Sequence, residues 1–235
     1  MFVELPSRRK PELRWATPLL LAMLWAAYLW ISTRPGSTQN MLVQDWGALT
    51  GGDGVVDSWR DLWEQRRWPT LFTALFLHAD WAHLLGNLVF LLIFGLPAER
   101  AMGPWRLLVL FLAGGAIANL ATALMIGTPE RVVIGASGAV AAIIGAYVAL
   151  FPRAKLGIVV PLGLFLEFIR APASILIGIW VALQVVYAYI GPAFGAVAWS
   201  AHVAGFLFGV FFALISRNGI QRRVRRTRSY DGPSL

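Results

Sequence analysis

Cysteine is absent from this chain, which excludes disulfides, thiolate catalysis and cysteine-held metals. Charge is scarce as well: 14% of the 235 residues are Asp, Glu, Lys or Arg, where a soluble globular domain carries about 25%. With 58% of residues hydrophobic, so few charges cannot clothe a water-facing surface, and the chain reads as an integral membrane protein. The twelve acidic residues stand at 4, 12, 45, 53, 57, 61, 64, 80, 99, 130, 167 and 231, none of them well inside an apolar run. That argues against a carboxylate proton relay or an acidic cation path. Histidine occurs three times and converges with no carboxylate cluster, so neither a metal nor a cofactor is expected.

What the chain has in quantity is apolar runs. Six of them predict transmembrane helices: Trp15–Ile31, Trp81–Leu96, Trp105–Ile126, Ser137–Phe151, Ala173–Ile190 and Val197–Ile215. The first reads as a span rather than a signal peptide, because it is long and no small-x-small cleavage site follows it. Asp80 is placed to cap the second. Pro97 is expected to end that span, leaving Glu99 and Arg100 in a short turn. Residues 34–67 form the longest polar segment, with a partly helical, interfacial stretch expected over Trp59–Trp68. Residues 156–172, broken by Gly157, Pro161, Gly163 and Pro172, read as a loop lying on the membrane. Many of the eleven tryptophans stand near span ends, where they suit interfacial anchoring.

The fold class is therefore an all-α membrane protein, a bundle of six transmembrane helices. Residues 1–14 form a cytoplasmic N-terminal segment, 15–215 the six-span domain and 216–235 a basic cytoplasmic tail. Orientation follows from charge. With both termini inside, fifteen Lys and Arg lie inside and five outside, as the positive-inside rule requires. The net charge of +8 would suggest nucleic acid in a soluble protein. Here the basic residues flank apolar runs, so no nucleic-acid partner is expected. The arginine tail is a topology signal first and a site for anionic membrane lipid second. The compact, cysteine-free form points to a bacterial inner membrane.

Gly135-Ala136-Ser137-Gly138 puts a hydroxyl at the mouth of the fourth run. His202 lies about five residues into the sixth, which runs the same way. At about 1.5 Å per residue both sit within roughly 10 Å of the outer ends of their helices. Small residues recur every fourth position in both runs: Ser137, Ala141, Gly145 and Ala149 in one, Ala201, Gly205, Gly209 and Ala213 in the other. Such stripes let membrane helices pack closely. Two stripes ending in reactive side chains at equal depth are what a Ser137–His202 dyad needs. No acidic residue is available as a third member. His83 and Asn87, one turn apart on the second run, could donate to a developing oxyanion. His78 lies further out, between a structural and a site role. Asn119 and Gln184 read as interhelical hydrogen-bonding groups.

These residues resemble a known family. Gly135-Ala136-Ser137-Gly138, Ala201-His202-Val203-Ala204-Gly205, and His83-Leu84-Leu85-Gly86-Asn87 preceded by His78 are similar, in order and spacing, to the signatures of rhomboid intramembrane serine proteases, over about residues 68–215. The resemblance implies Ser137 as nucleophile and His202 as general base. It implies an oxyanion site of Asn87, His83 and the Ser137 backbone N–H, with Gly135 in the same set. Glu99-Arg100 resembles the acid–arginine pair after the second span, and Gly138, Gly205 and Gly209 the structural glycines. The expected substrates are single-pass transmembrane proteins, cleaved near the outer face of the membrane. Two positions depart from the pattern. Pro69 and Thr70 stand where many members have Trp-Arg, with Trp68 one place early. Ala141 stands where some have an aromatic stacked on the catalytic histidine. The alternatives are a catalytically silent relative that binds membrane clients, disfavoured because serine and histidine are both present, and a transporter, disfavoured because no inverted repeat is evident.

Overall fold

The computed structural model describes residues 14–50, 63–64, 66–125, 131–162, 165–172, 175, 177–182 and 199–228. In chain order these form α1 (Ala16–Ser32), α2 (Gly36–Trp46), β1 (Ala48–Thr50), α3 (Thr70–Thr73) with a 3-10 turn over Ala74–Phe76, and α4 (Trp81–Phe90). A π-turn (Leu91–Gly95) leads into α5 (Leu96–Met102). Then come α6 (Pro104–Met125), β2 (Arg131–Val133), α7 (Ser137–Leu150), β3 (Lys155–Leu162), β4 (Phe165–Pro172), a helical stretch α8 (177–182) and α9 (Trp199–Arg228). The chain is an integral membrane protein. Trp81–Met102, Pro104–Met125 and Trp199–Val224 are each long and apolar enough to cross a bilayer, and Ala16–Ser32 and Ser137–Leu150 are shorter apolar helices.

The helix that organises the rest is α7. Its residues are buried without a break from Gly138 to Tyr147, so it has no lipid-facing stripe and must be ringed by protein. At 14 residues and about 1.5 Å each, it is about 21 Å long, short of the roughly 30 Å hydrocarbon core. A helix of that length falls short of spanning the core by itself, and Ser137 is its first residue.

α9 and α6 pack against α7 through small residues. A Cβ added to Gly205 would run into the carbonyl of Gly138, one added to Gly209 into that of Ala142, and one added to Gly145 into that of Phe206. The two stripes expected to meet do meet, backbone against backbone. α6 contributes a third stripe that the spacing argument did not use. A Cβ on Gly115 would lie 3.0 Å from Ala139 Cβ, and one on Gly138 would lie 2.6 Å from Ala118 Cβ.

Several boundaries differ from the expected ones. Asp80 caps α4 as expected, accepting from the His83 N–H at 2.8 Å. Pro97, however, does not end the second span. The π-turn precedes it and Pro97 falls in the first turn of α5, where a missing N–H costs nothing. Glu99 therefore stands on a helix, not in a turn. It is fully buried, and its carboxylate accepts from the backbone N–H groups of Ala16 and Thr17, both at 2.9 Å. A carboxylate on two orphan amides of a helix N-terminus is a favourable placement for a buried charge. It ties α5 to the start of α1. Arg100, beside it, is exposed. We expect Glu99→Gln to lower stability by about 2 kcal/mol, since charge-assisted hydrogen bonds are lost. A drop in thermal unfolding temperature with little change in any site-directed chemistry would mark this role.

Residues 156–172 are not an irregular loop. Lys155–Leu162 pairs antiparallel with Phe165–Pro172, from Lys155 opposite Pro172 to Leu162 opposite Phe165. A second short ladder pairs Ala48–Thr50 with Arg131–Val133, so the helical bundle carries two small antiparallel additions. α9 runs unbroken past Ile215 to Arg228, and its Ile220 is buried. The expected fifth span is helical at Ile175 and over 177–182, while 173–174, 176 and 183–190, with Gln184, lie outside the described residues. Residues 1–13 of the expected N-terminal segment, 59–62 and 65 of the expected interfacial stretch and the end of the basic tail, 229–235, lie outside them too.

Candidate active site

Ser137 is presented by a turn, Ile134-Gly135-Ala136, held from several sides. The β1–β2 ladder ends one residue before the turn. The Gly135 N–H donates to the Ala74 carbonyl at 2.9 Å, and the Ala136 N–H donates to His78 Nε2 at 3.4 Å. Gly135 has φ +114, a conformation open to glycine and costly to other residues. It also has no room for a side chain. A Cβ there would lie 2.7 Å from His83 Cε1 and 2.8 Å from His83 Nε2. The imidazole of His83 thus rests on the backbone just ahead of Ser137.

The start of α9 is tethered as well. Ser200 Oγ donates to Thr122 Oγ1 at 3.0 Å, and Thr122 Oγ1 donates to the Ala118 carbonyl at 2.9 Å. One residue further, Ala201 lies against Gly138, whose added Cβ would be 3.5 Å from the Ala201 carbonyl oxygen. Ser137 precedes Gly138 and His202 follows Ala201, so the close backbone approach puts both at the same level.

A partly open cavity of about 220 Å³ lies there, lined by His83, Asn87, Ser137, Trp180 and His202, with Ala82, Gly86, Phe90, Val140, Ala141 and Ile144 completing its walls. Ser137, His202 and His83 are half-buried and Asn87 is buried. One amide hydrogen of Asn87 is donated to the His83 carbonyl at 3.1 Å, which fixes the side chain and leaves its second hydrogen for another acceptor. At the head of α7 the Ser137 N–H has no acceptor within its own helix, and the helix dipole there favours negative charge. A hydroxyl, two imidazoles, an amide and a helix N-terminus around one apolar cavity are the parts that acyl transfer requires. Among the described residues no group of His, Cys, Asp and Glu could hold a metal ion.

Gly135 requires a correction. Its N–H is engaged by Ala74, so it is not an oxyanion donor; what it supplies is the turn and the space for His83. His78 does not line the cavity. Its ring stands edge-on behind His83 at 5.1 Å between centroids, and its Nε2 accepts from Ala136. Asn119 donates to the Leu71 carbonyl at 2.8 Å, an interhelical bond as expected. Of the positions that depart from the pattern, Thr70 is buried and donates to the Arg67 carbonyl at 2.7 Å, and Trp68 stacks on Trp63. Trp180 is the cavity residue that sequence reasoning passed over. Its place in the middle of the fifth apolar run, far from either interface, was the available signal.

His78 sits ahead of α4, and its pKa is lowered from 6.5 to about 4, chiefly by burial and secondarily by the charge of His83, with Asp80 opposing. It must be neutral to accept from Ala136. A lowered histidine pKa contributes stability that is full above about pH 6.5 and is lost as pH falls toward 4, amounting to about 3 kcal/mol for a shift of this size. Thermal unfolding at pH 7 and pH 4.5 checks this. The parent should lose markedly more stability on acidification than His78→Gln.

A family model described as Rhomboid domain matches residues 65–219. Rhomboid-related protein 1 of Caenorhabditis elegans is 27% identical over 170 residues, 66% of this chain and 42% of that protein. Rhomboid protease GluP of Bacillus subtilis is 31% identical over 139 residues, 58% of this chain and 25% of that protein. Rhomboid-like protein 11, chloroplastic, of Arabidopsis thaliana is 45% identical over 74 residues, 31% of this chain and 26% of that protein. In each case the chain spans less than half the length of the relative.

Proposed function

The chain belongs to the rhomboid family, and on that premise we propose that it is an intramembrane serine endopeptidase. It cleaves single-pass membrane proteins near the outer membrane face through an acyl-enzyme on Ser137. The observation that carries this reading is the single cavity shared by Ser137, His202, Asn87 and His83, in a family that includes a relative named as a protease.

His202 takes the proton of the Ser137 hydroxyl as Oγ attacks the scissile carbonyl. The oxyanion that forms is met by the Asn87 amide, the His83 imidazole and the Ser137 N–H. His202 then returns its proton to the leaving amine, and water entering from the outer face releases the acyl group by the same exchange in reverse. Among the described residues no carboxylate lines the cavity, which supports a dyad. The excess of inside arginine and lysine supports cytoplasmic termini, and the host membrane proposed is a bacterial inner membrane.

Asn87→Ala removes one oxyanion donor and should lower kcat about 10²–10³-fold with KM little changed, measured by initial rates in liposomes. The reading as a whole is tested by co-reconstituting purified protein with tagged single-pass substrates and identifying the products by mass spectrometry. Internal cleavage near one membrane face is expected. A protein that retains such substrates in pull-down yet never cuts a panel of them would be a silent client-binding relative instead.

A further inference from the structure

We propose that Trp180 is a positioning residue for His202, supplying from the fifth apolar run the aromatic wall that Ala141 cannot provide from α7. The inference rests on the protease reading and deepens it. Ala141 is fully buried and lines the cavity one turn beyond Ser137, but its single methyl offers no ring to support an imidazole. Also on the cavity wall, the indole of Trp180 lies 5.8 Å from the His202 ring at 40°, and 6.5 Å from the Phe206 ring at 42°. His202 and Phe206 are one turn apart on α9, so the indole is in tilted ring contact with both side chains along that edge.

An imidazole needs such a wall. Its outer torsion is broad and roughly two-fold, so packing together with the partners of its nitrogens, not intrinsic preference, decides where they point. A displacement of about 1 Å in a catalytic group can cost about 10²-fold in rate. Ser137 and Trp180 sit on different helices, so the seating of residues 177–182 sets the geometry of the dyad. The ordinary alternative is that Trp180 merely fills volume. In that case any bulky apolar side chain would serve, and the imidazole would not register its loss.

Two measurements on the full chain in nanodiscs decide the matter. The first is the ring-proton spectrum of histidine, with three signals assigned by His78→Gln and His83→Gln. Trp180→Ala should move the His202 signal, and Trp180→Phe should largely preserve it. The second is the rate of fluorophosphonate labelling at Ser137. It should fall roughly tenfold in Trp180→Ala and Trp180→Leu, and stay within about threefold in Trp180→Phe. An unmoved His202 signal in Trp180→Ala, or labelling as fast as in the parent, overturns the proposal. A parent that takes no label overturns the protease reading, while the His202 signal still decides whether Trp180 seats the imidazole.

Discussion

Replacing Ser137 by alanine, or His202 by alanine, should each reduce cleavage of a reconstituted substrate by roughly 10³-fold or more. The two side chains act on one proton, so either alone is of little use. A hydroxyl with no base beside it is a weak nucleophile, and an imidazole with no hydroxyl has nothing to deprotonate. The double variant should therefore be about as slow as either single one, not the product of the two losses. Neither change removes the packing that holds the site. Ala201, Gly205 and Gly209 make the α7–α9 backbone contact, while Ser137 and His202 stand on the cavity wall. Unfolding temperatures close to the parent's, together with lost cleavage, would separate a chemical role from a structural one.

The second large effect is expected from Gly205→Val, and similarly from Gly209→Val. At each position a Cβ would be driven into a carbonyl of α7, that of Gly138 for Gly205 and that of Ala142 for Gly209. The obstacle is backbone, which cannot rotate aside as a side chain does. The helices must separate, at a cost of about 3 kcal/mol or more, the upper part of the range for overpacking. Within a bilayer, close packing is a principal force holding helices together, so separation is not offset by other burial. Gly205→Val should lose both thermal stability and cleavage. Gly209 lies nearly two turns beyond His202, so activity lost there arises through packing alone. Gly36→Ala is the control, since a Cβ at that position meets nothing within 4 Å. Thermal unfolding and initial rates on the same preparations test the contrast.

The central part of this fold is legible in the sequence because its signals are periodic and local. The alternation of small residues in α7 and α9 is visible in the chain, and it corresponds to real backbone contact at Gly205 and Gly209. Asp80 announces the start of α4 by the ordinary chemistry of a helix cap, and the bond to His83 is there. Counting residues puts Ser137 and His202 at one level, and both stand on the wall of one cavity.

What the sequence did not disclose depended on distant partners. Pro97 predicts a helix end until the π-turn before it is known. Glu99 looks like a turn residue until α1 presents two amides to it from more than eighty positions earlier in the chain. The hairpin Lys155–Leu162 with Phe165–Pro172 is masked by its glycines and prolines, which read as breaks, although its pairing is regular. Gly135 fits an oxyanion motif by position, yet its amide is engaged by Ala74. Trp180 acquires a role only through a ring on another helix. Each case turns on a contact between segments, and a single sequence carries no record of it.

The measurement that tests the central claim most directly is the site of covalent capture by a fluorophosphonate. Intact protein in nanodiscs is treated with the reagent, digested and read by peptide mass spectrometry, beside His202→Ala. One adduct on Ser137, formed in the parent and nearly absent in His202→Ala, is the predicted result. An adduct on another hydroxyl, or equal labelling of Ser137 without His202, would contradict the dyad.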